Sequence, residues 1–219
     1  MSELSIIDLV QKESPPNFTE EDITSLYSYR VPKLREDGLC SFSKNNELEP
    51  KAFDLRETFN LTKENVEQLF DHPTTILLWR LKRSLELLKK QMAEWPDWIG
   101  IYQRRKIDNE EFLIKLSYQG KPSRAVFPLN EKWAKLSNNS NVAMLGKERI
   151  LQNTHEISFD TPYYSCDHMV RSEACLPIKN SSDEILGIID AESFKTDFFT
   201  QEIAQTLREF CSQIGNKLF

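Results

Sequence analysis

Ala174-Cys-Leu-Pro-Ile-Lys-Asn-Ser-Ser-Asp-Glu-Ile-Leu-Gly-Ile-Ile-Asp-Ala-Glu192 decides the fold. Two apolar runs, residues 174–179 and 185–191, flank Asn180-Ser-Ser-Asp183, whose side chains can bond their own backbone and turn the chain. The pattern predicts a β-hairpin. Its second strand ends on Asp190 and Glu192, which the two-residue period places on one side. Acids are rarely buried without a partner or a purpose. This pair therefore either faces a polar pocket or marks where the strand leaves the core.

Beyond the hairpin, Thr200 caps a final helix whose apolar face is Ile203, Leu207, Phe210, Ile214 and Leu218. Before it, residues 153–171 form a long loop rich in His, Asp, Pro and Tyr, and long loops in compact domains are often binding or catalytic segments. Residues 131–153 read as a polar helical crossover. Upstream, Trp98-Ile-Gly-Ile-Tyr102 and Phe112-Leu-Ile-Lys-Leu-Ser-Tyr118 are β-rich runs, joined by a charged loop over 104–111. A third short strand is expected at 123–127, after the Gly120-Lys-Pro122 turn. Leu78, Leu81, Leu85, Leu88 and Met92 recur at helical spacing, predicting a helix of about twenty residues that begins after Pro73 and ends before Pro96. This amphipathic helix fits core packing better than a dimer seam, and a homodimer through the flanking helices is the competing reading.

The order of elements predicts an α+β domain over 73–219: an antiparallel sheet with N- and C-terminal helices packed against it. Residues 1–72 read as a helical and irregular N-terminal extension with little core of its own. Ser14-Pro-Pro16 stops any first helix, Thr19 caps a second that ends before Pro32, and Thr62 to Phe70 suggests a third.

The formal charge of −6 and pI near 5.3 speak against a general nucleic-acid binder, which needs a basic face to displace counterions. The basic cluster between Arg80 and Lys90 alternates with leucines and reads as a solvated helix face. Acids near the N-terminus and the absence of a long apolar run predict neither secretion signal nor membrane span, hence a cytoplasmic protein. Four cysteines, at 40, 166, 175 and 211, show no Cys-x-x-Cys spacing and are expected as thiols.

Reactive groups concentrate in Cys166-Asp-His-Met-Val-Arg-Ser-Glu173, which puts a thiol, two carboxylates, an imidazole and a guanidinium within eight residues. Together with Trp98-Ile-Gly-Ile-Tyr102, Tyr118-Gln-Gly-Lys-Pro122, Leu176-Pro-Ile178 and Gly187-Ile-Ile-Asp-Ala-Glu-Ser193, it falls in an order that resembles GAF domains. More narrowly, the chain looks like the free methionine-(R)-sulfoxide reductases, over roughly residues 76–219. The resemblance implies that Cys166 attacks the sulfoxide sulfur and becomes a sulfenic acid. It implies that Glu173, Asp190 and Glu192 surround the amino acid's ammonium group and the sulfoxide oxygen, and that Trp98 and Tyr102 wall the methylthio end. No tightly bound cofactor is implied, only an external thiol reductant such as thioredoxin, and the expected partner is a free amino acid.

The chemistry needs these residue types. A thiolate is the nucleophile, so a neighbour must lower its pKa or take its proton. The departing oxygen needs a proton, which a carboxyl of raised pKa can supply, and carboxyls crowded into one cavity raise one another. His168 or Arg171, if turned inward, would favour the thiolate. Against the resemblance, Ser123-Arg124 stands where the family carries a cysteine, residues 129–146 lack the family's glycine-rich cysteine stretch, and Glu192 replaces its aspartate.

Plainer readings stand beside these. Free cysteines are mostly buried and inert, the expected state of Cys175 and Cys211. Trp98 and Tyr102 share a strand face and could be ordinary core. A metal at Cys166, His168 and His155 lacks a fourth ligand at usual spacing. Two functions follow: a thiol-dependent reductase, or a GAF ligand-binding module that keeps the pocket and has lost the redox cycle.

Overall fold

The computed structural model describes residues 4–36, 40, 47–156 and 167–219. The chain begins with helices α1 (Ile6–Lys12) and α2 (Glu20–Tyr27), each opened by a reciprocal cap, Ser5 with Asp8 and Thr19 with Asp22. A two-stranded ribbon, β1 (Ser28–Tyr29) with β2 (Phe53–Asp54), leads into short helices α3 (Leu55–Thr58) and α4 (Val66–Leu69). Then come α5 (Pro73–Gln91), β3 (Trp98–Ile107), β4 (Glu110–Gln119), β5 (Val126–Pro128), α6 (Glu131–Leu136), α7 (Asn138–Leu145), β6 (Arg149–Leu151), β7 (Ser172–Lys179), β8 (Ile185–Ser193) and α8 (Gln201–Lys217).

Six strands form one antiparallel sheet in the order β5-β4-β3-β8-β7-β6. The central hairpin is the β7–β8 pair expected from its turn chemistry, with Leu176 opposite Ile189 and Ala174 opposite Ala191. One face of the sheet carries Ile99, Ile101, Ile114, Leu116, Leu176, Ile178 and Ile189 into a core shared with Leu81, Leu85, Leu207, Phe210 and Ile214 of α5 and α8. The opposite face carries a smaller cluster, Trp98, Tyr102, Leu113, Phe127, Val142, Cys175 and Ile188, beneath α7. This second face holds the candidate site.

Four expectations are corrected. Residues 104–111 are not a loop: β3 and β4 run on to a two-residue turn, Asp108-Asn109, with both residues in the left-handed region (φ 47° and 66°). Charged residues there lie across from one another on the exposed end of the hairpin, and Arg104 meets Glu111 at 2.6 Å. The third strand begins at Val126 rather than Ser123, because the carbonyls of Ser123 and Arg124 are taken by the side chains of Lys115 and Tyr102. The crossover is two helices, with Ser137 capping α7 and Gly146 (φ 66°) ending it, followed by the edge strand β6.

Nor is the extension weakly cored. Ile7, Val10, Ile23, Tyr27, Leu55 and Leu69 are buried, and most of them join the core shared with α5 and α8. Helix α1 packs against both α5 and α8, while α2 packs against α5. Ion pairs reinforce this seam: Arg83 with Glu13 at 2.7 Å and Lys217 with Asp8 at 2.6 Å. The apolar stripe of α5 is thus buried within the chain itself. Among the described residues, no helix is long and apolar enough to cross a membrane.

Candidate functional site

The site grows from the register of three adjacent strands. Trp98 of β3 lies opposite Glu192 of β8, which lies opposite Glu173 of β7. One step along, Gly100 faces Asp190, and Asp190 faces Cys175. Tyr102 and Ile188 make the next row. Two glutamates directly opposite each other repel, so this row costs the fold stability and calls for a compensating role.

Gly100 explains how the indole fits. A Cβ there would stand 2.3 Å from Cη2 of Trp98, so only a bare backbone lets the ring fold over its own strand. The indole Nε1 donates to the carbonyl of Lys121 (3.1 Å), and the ring stacks on Tyr118. The Tyr102 hydroxyl donates to the carbonyl of Arg124 (3.1 Å).

Lys115 has no exposed surface. Its Nζ donates to the carbonyl (2.8 Å) and the hydroxyl (2.7 Å) of Ser123 and lies over the rings of Tyr118, Tyr29 and Trp98. Its own carbonyl accepts from the Tyr29 hydroxyl (2.6 Å), so the extension is tied to this wall.

Helix α7 covers the carboxylates. Asn138 Nδ2 donates to Glu173 Oε1 at 2.7 Å, and Asn139 Nδ2 donates to Asp190 Oδ2 at 2.9 Å. The other oxygens, Asn138 Oδ1 and Asp190 Oδ1, are buried and have no hydrogen-bond partner among the described residues. Buried polar atoms are almost always paired, so two unpaired acceptors in one place point to an absent donor.

These groups enclose a cavity lined by Trp98, Tyr102, Arg124, Asn138, Asn139, Glu173, Asp190 and Glu192. It holds about 360 Å³ of empty space, of which the centre of a water-sized sphere can reach about 20 Å³. The first figure includes space open to solvent, so the second measures the enclosed room. The second is room for about one water molecule or one ammonium group.

Electrostatics follow from crowding and burial. The Asp190 carboxyl is pushed well above the usual range by burial and then by Glu173, against the Asn139 hydrogen bond and the charge of Lys115. Half-buried Glu192 is also pushed well up, by desolvation first and then by Asp190, Glu173, Asp167 and Cys40. Cys40 of the extension therefore stands within electrostatic reach of the site. The Cys175 thiol is pushed well up by its complete burial and by Asp190 and Glu173, which keeps it unreactive.

All five expected binding residues, Trp98, Tyr102, Glu173, Asp190 and Glu192, line this one cavity. Cys166 lies outside the described residues, as does most of the loop that was expected to carry it. His168 and Arg171 do not line the cavity: His168 is exposed, and Arg171 donates to the His168 carbonyl (3.0 Å) and meets the His155 ring. Among the described residues, no group of three His, Cys, Asp or Glu side chains could hold a metal ion.

The sequence reading missed Lys115, Arg124, Asn138 and Asn139. A lone lysine in the apolar strand Leu113-Ile-Lys-Leu116 was the signal for the first. The asparagines were hidden in a segment whose polarity suggested a solvated helix.

The GAF domain model matches residues 54–218, about three-quarters of the chain. The chain belongs to the GAF domain family. The match begins before α3, so part of the extension falls within it. Among solved structures, this GAF protein is similar to a type II free methionine-R-sulfoxide reductase from Thermoplasma acidophilum (TM-score 0.56, 16% identity, 67% of this chain and 95% of that one). It is similar to the free methionine-R-sulfoxide reductase from Neisseria meningitidis in complex with its substrate (0.52, 18%, 68% and 80%). It is also similar to a putative GAF sensor protein from Burkholderia vietnamiensis (0.52, 16%, 69% and 91%). At these identities the likeness concerns the fold. A comparison with the curated proteins finds no match.

Proposed function

We propose that this GAF protein binds a free amino acid through its ammonium group and acts as a thiol-dependent reductase of free methionine-(R)-sulfoxide. The observation that carries the ligand class is the pair of unpartnered acceptors, Asp190 Oδ1 and Asn138 Oδ1, in a cavity walled by Trp98 and Tyr102. An ammonium group has three donors and a positive charge, and it satisfies buried acceptors beside a carboxylate better than any neutral donor.

The chemistry draws on the same groups. Cys166 attacks the sulfoxide sulfur, and the oxygen passes to the cysteine as the S–O bond to methionine breaks. The products are methionine and Cys166 sulfenic acid, with a proton delivered to the oxygen. Glu192, whose carboxyl is pushed well above the usual range by desolvation and by the neighbouring acids, is suited to supply it, while Asp190 pairs with the ammonium. Two external thiols then reduce the sulfenic acid, releasing water and forming a disulfide between themselves.

The test is methionine formation from each sulfoxide epimer with dithiothreitol or thioredoxin, with Cys166→Ser beside the wild type. The R epimer alone should be consumed, and only by the wild type. Equal inertness of both proteins with both reductants refutes the catalytic part.

A second reading is favoured by a specific observation: Ser123 and Arg124 line the cavity where the resembling family carries a cysteine, and Cys175 is sealed and hard to ionise. A binding module predicts saturable amino-acid binding and a raised melting temperature without turnover.

A further inference from the structure

Tyr29 belongs to the extension and lies upstream of residues 54–218, which match the GAF domain model, yet it reaches the wall of the cavity. The ribbon that carries it has two residues in each strand, far too few to be stable alone. Phe53 stands directly opposite, with its ring 5.6 Å away, and fixes Tyr29 from behind. In front, the Tyr29 ring meets Tyr118 edge-on at 5.5 Å, and its hydroxyl donates to the Lys115 carbonyl. The Lys115 ammonium lies 4.1 Å from the ring centre of Tyr118, 4.9 Å from that of Tyr29 and 5.8 Å from that of Trp98. Three rings thus form a cage around one charge.

The cage keeps water from the wall. Tyr29 and Tyr118 also line a groove outside it, between α2, α5 and the end of β4. Lys115 nevertheless has no exposed surface, so these rings are the partition. A dry ammonium holds its acceptors more tightly than a wet one, because water no longer competes. The acceptors here are the carbonyl and hydroxyl of Ser123, which lines the cavity beside Trp98. We propose, resting on the amino-acid reading for what binds, that Tyr29 is a positioning residue of the cavity: its ring keeps Lys115 dry, and the closed cage holds Ser123 and Trp98 in place for the ligand. The extension is then a working part of the site as well as a layer of the core.

Tyr29→Leu removes the ring and Tyr29→Phe only the hydroxyl, while Ile7→Ala loosens the extension in the core it shares with α5 and α8 and serves as the control. Two quantities are measured on variants shown to be folded by their thermal melts. One is the Trp98 indole N–H resonance in the ligand-free protein, assigned with Trp98→Phe; the other is the affinity for L-methionine by calorimetry. Tyr29→Leu should shift the resonance and weaken binding by roughly 3- to 30-fold, the size of a desolvated cation–ring contact. Tyr29→Phe keeps the ring and should stay within about threefold of the wild type. Ile7→Ala should change neither quantity, although it costs stability. An unmoved resonance or an unchanged affinity in Tyr29→Leu, or an equal weakening in Ile7→Ala, overturns the role of Tyr29 while leaving the amino-acid pocket standing. Absence of L-methionine binding by the wild type overturns the amino-acid reading itself, and this inference with it. Should Tyr29→Leu fail to fold, Phe53→Leu, which removes the ring behind Tyr29, is read by the same criteria with a smaller loss of affinity.

Discussion

Asp190→Asn should make the protein more stable as pH rises, and the size of the gain can be worked out. In the folded protein, burial and Glu173 hold the Asp190 carboxyl well above its ordinary pKa, whereas in the unfolded chain it ionises near 3.9. Between those two values the native state keeps a proton that the unfolded state has lost. Each such proton makes stability fall by about 1.4 kcal/mol per pH unit as pH rises. The contribution is complete below the unfolded pKa and lost as pH passes the folded one. Asparagine has nothing to titrate. Its carbonyl can still accept from Asn139, and its amide places a donor where Asp190 Oδ1 stands unpartnered beside two glutamates. The difference in unfolding free energy, variant minus wild type, should therefore climb by about 1.4 kcal/mol per pH unit within the window. Glu192 is raised in part by Asp190, so the variant also loses proton binding at Glu192, and the difference carries at least one proton. Urea unfolding of both proteins at pH 5, 6, 7 and 8 measures it. A difference independent of pH, or one shrinking as pH rises, refutes a proton held by burial at Asp190.

The same protons govern binding: a cationic ligand favours the ionised carboxyls, so binding should release protons and tighten with pH. Titration calorimetry in buffers of different ionisation heat reads the sign, and proton uptake contradicts it. Gly100→Ala sets a Cβ 2.3 Å from the Trp98 ring and should cost about 1–3 kcal/mol, with a changed indole fluorescence and weakened ligand binding; unaltered fluorescence counts against the packing described. Lys115→Met removes the donor to Ser123 and one positive charge near Asp190. It should cost about 1–3 kcal/mol, and an unchanged denaturation midpoint would speak against the pinning of this wall. Ile7→Ala should cost about 2–5 kcal/mol, because Ile7 is fully buried in the core shared with α5 and α8. A loss below 0.5 kcal/mol would mean the extension is not part of that core.

What could be read beforehand and what could not divide along one physical line. Periodicity reports which side of an element is apolar, so α5, α8 and the β7–β8 hairpin follow from Leu78 to Leu88, Ile203 to Ile214, and the Asn180–Asp183 turn. It also put Asp190 and Glu192 together, because a strand has only two sides. The β3–β4 turn was missed because the charged residues around it mimic a loop, although an Asp-Asn pair suits left-handed backbone and opposite charges suit facing strand positions. The extension was undervalued because its buried residues are scattered over seventy residues, and only the faces of α5 and α8 give them a common core.

The pocket's polar lining was the least legible part, and the reason bears on its function. Polarity in a sequence ordinarily means solvent, so Asn138, Asn139, Lys115 and Arg124 look like surface. Each is instead withdrawn from water and matched: an amide to Glu173, an amide to Asp190, an ammonium to Ser123, a guanidinium to Val126 and Trp133. Matching them this way costs more desolvation than an apolar core of the same volume would, and the facing Glu173 and Glu192 add repulsion. A fold stabilised by two helices, a six-stranded sheet and a packed extension tolerates that cost. The two acceptors left over among the described residues, Asp190 Oδ1 and Asn138 Oδ1, call for a donor, and the ammonium group proposed above supplies one that is small and positively charged.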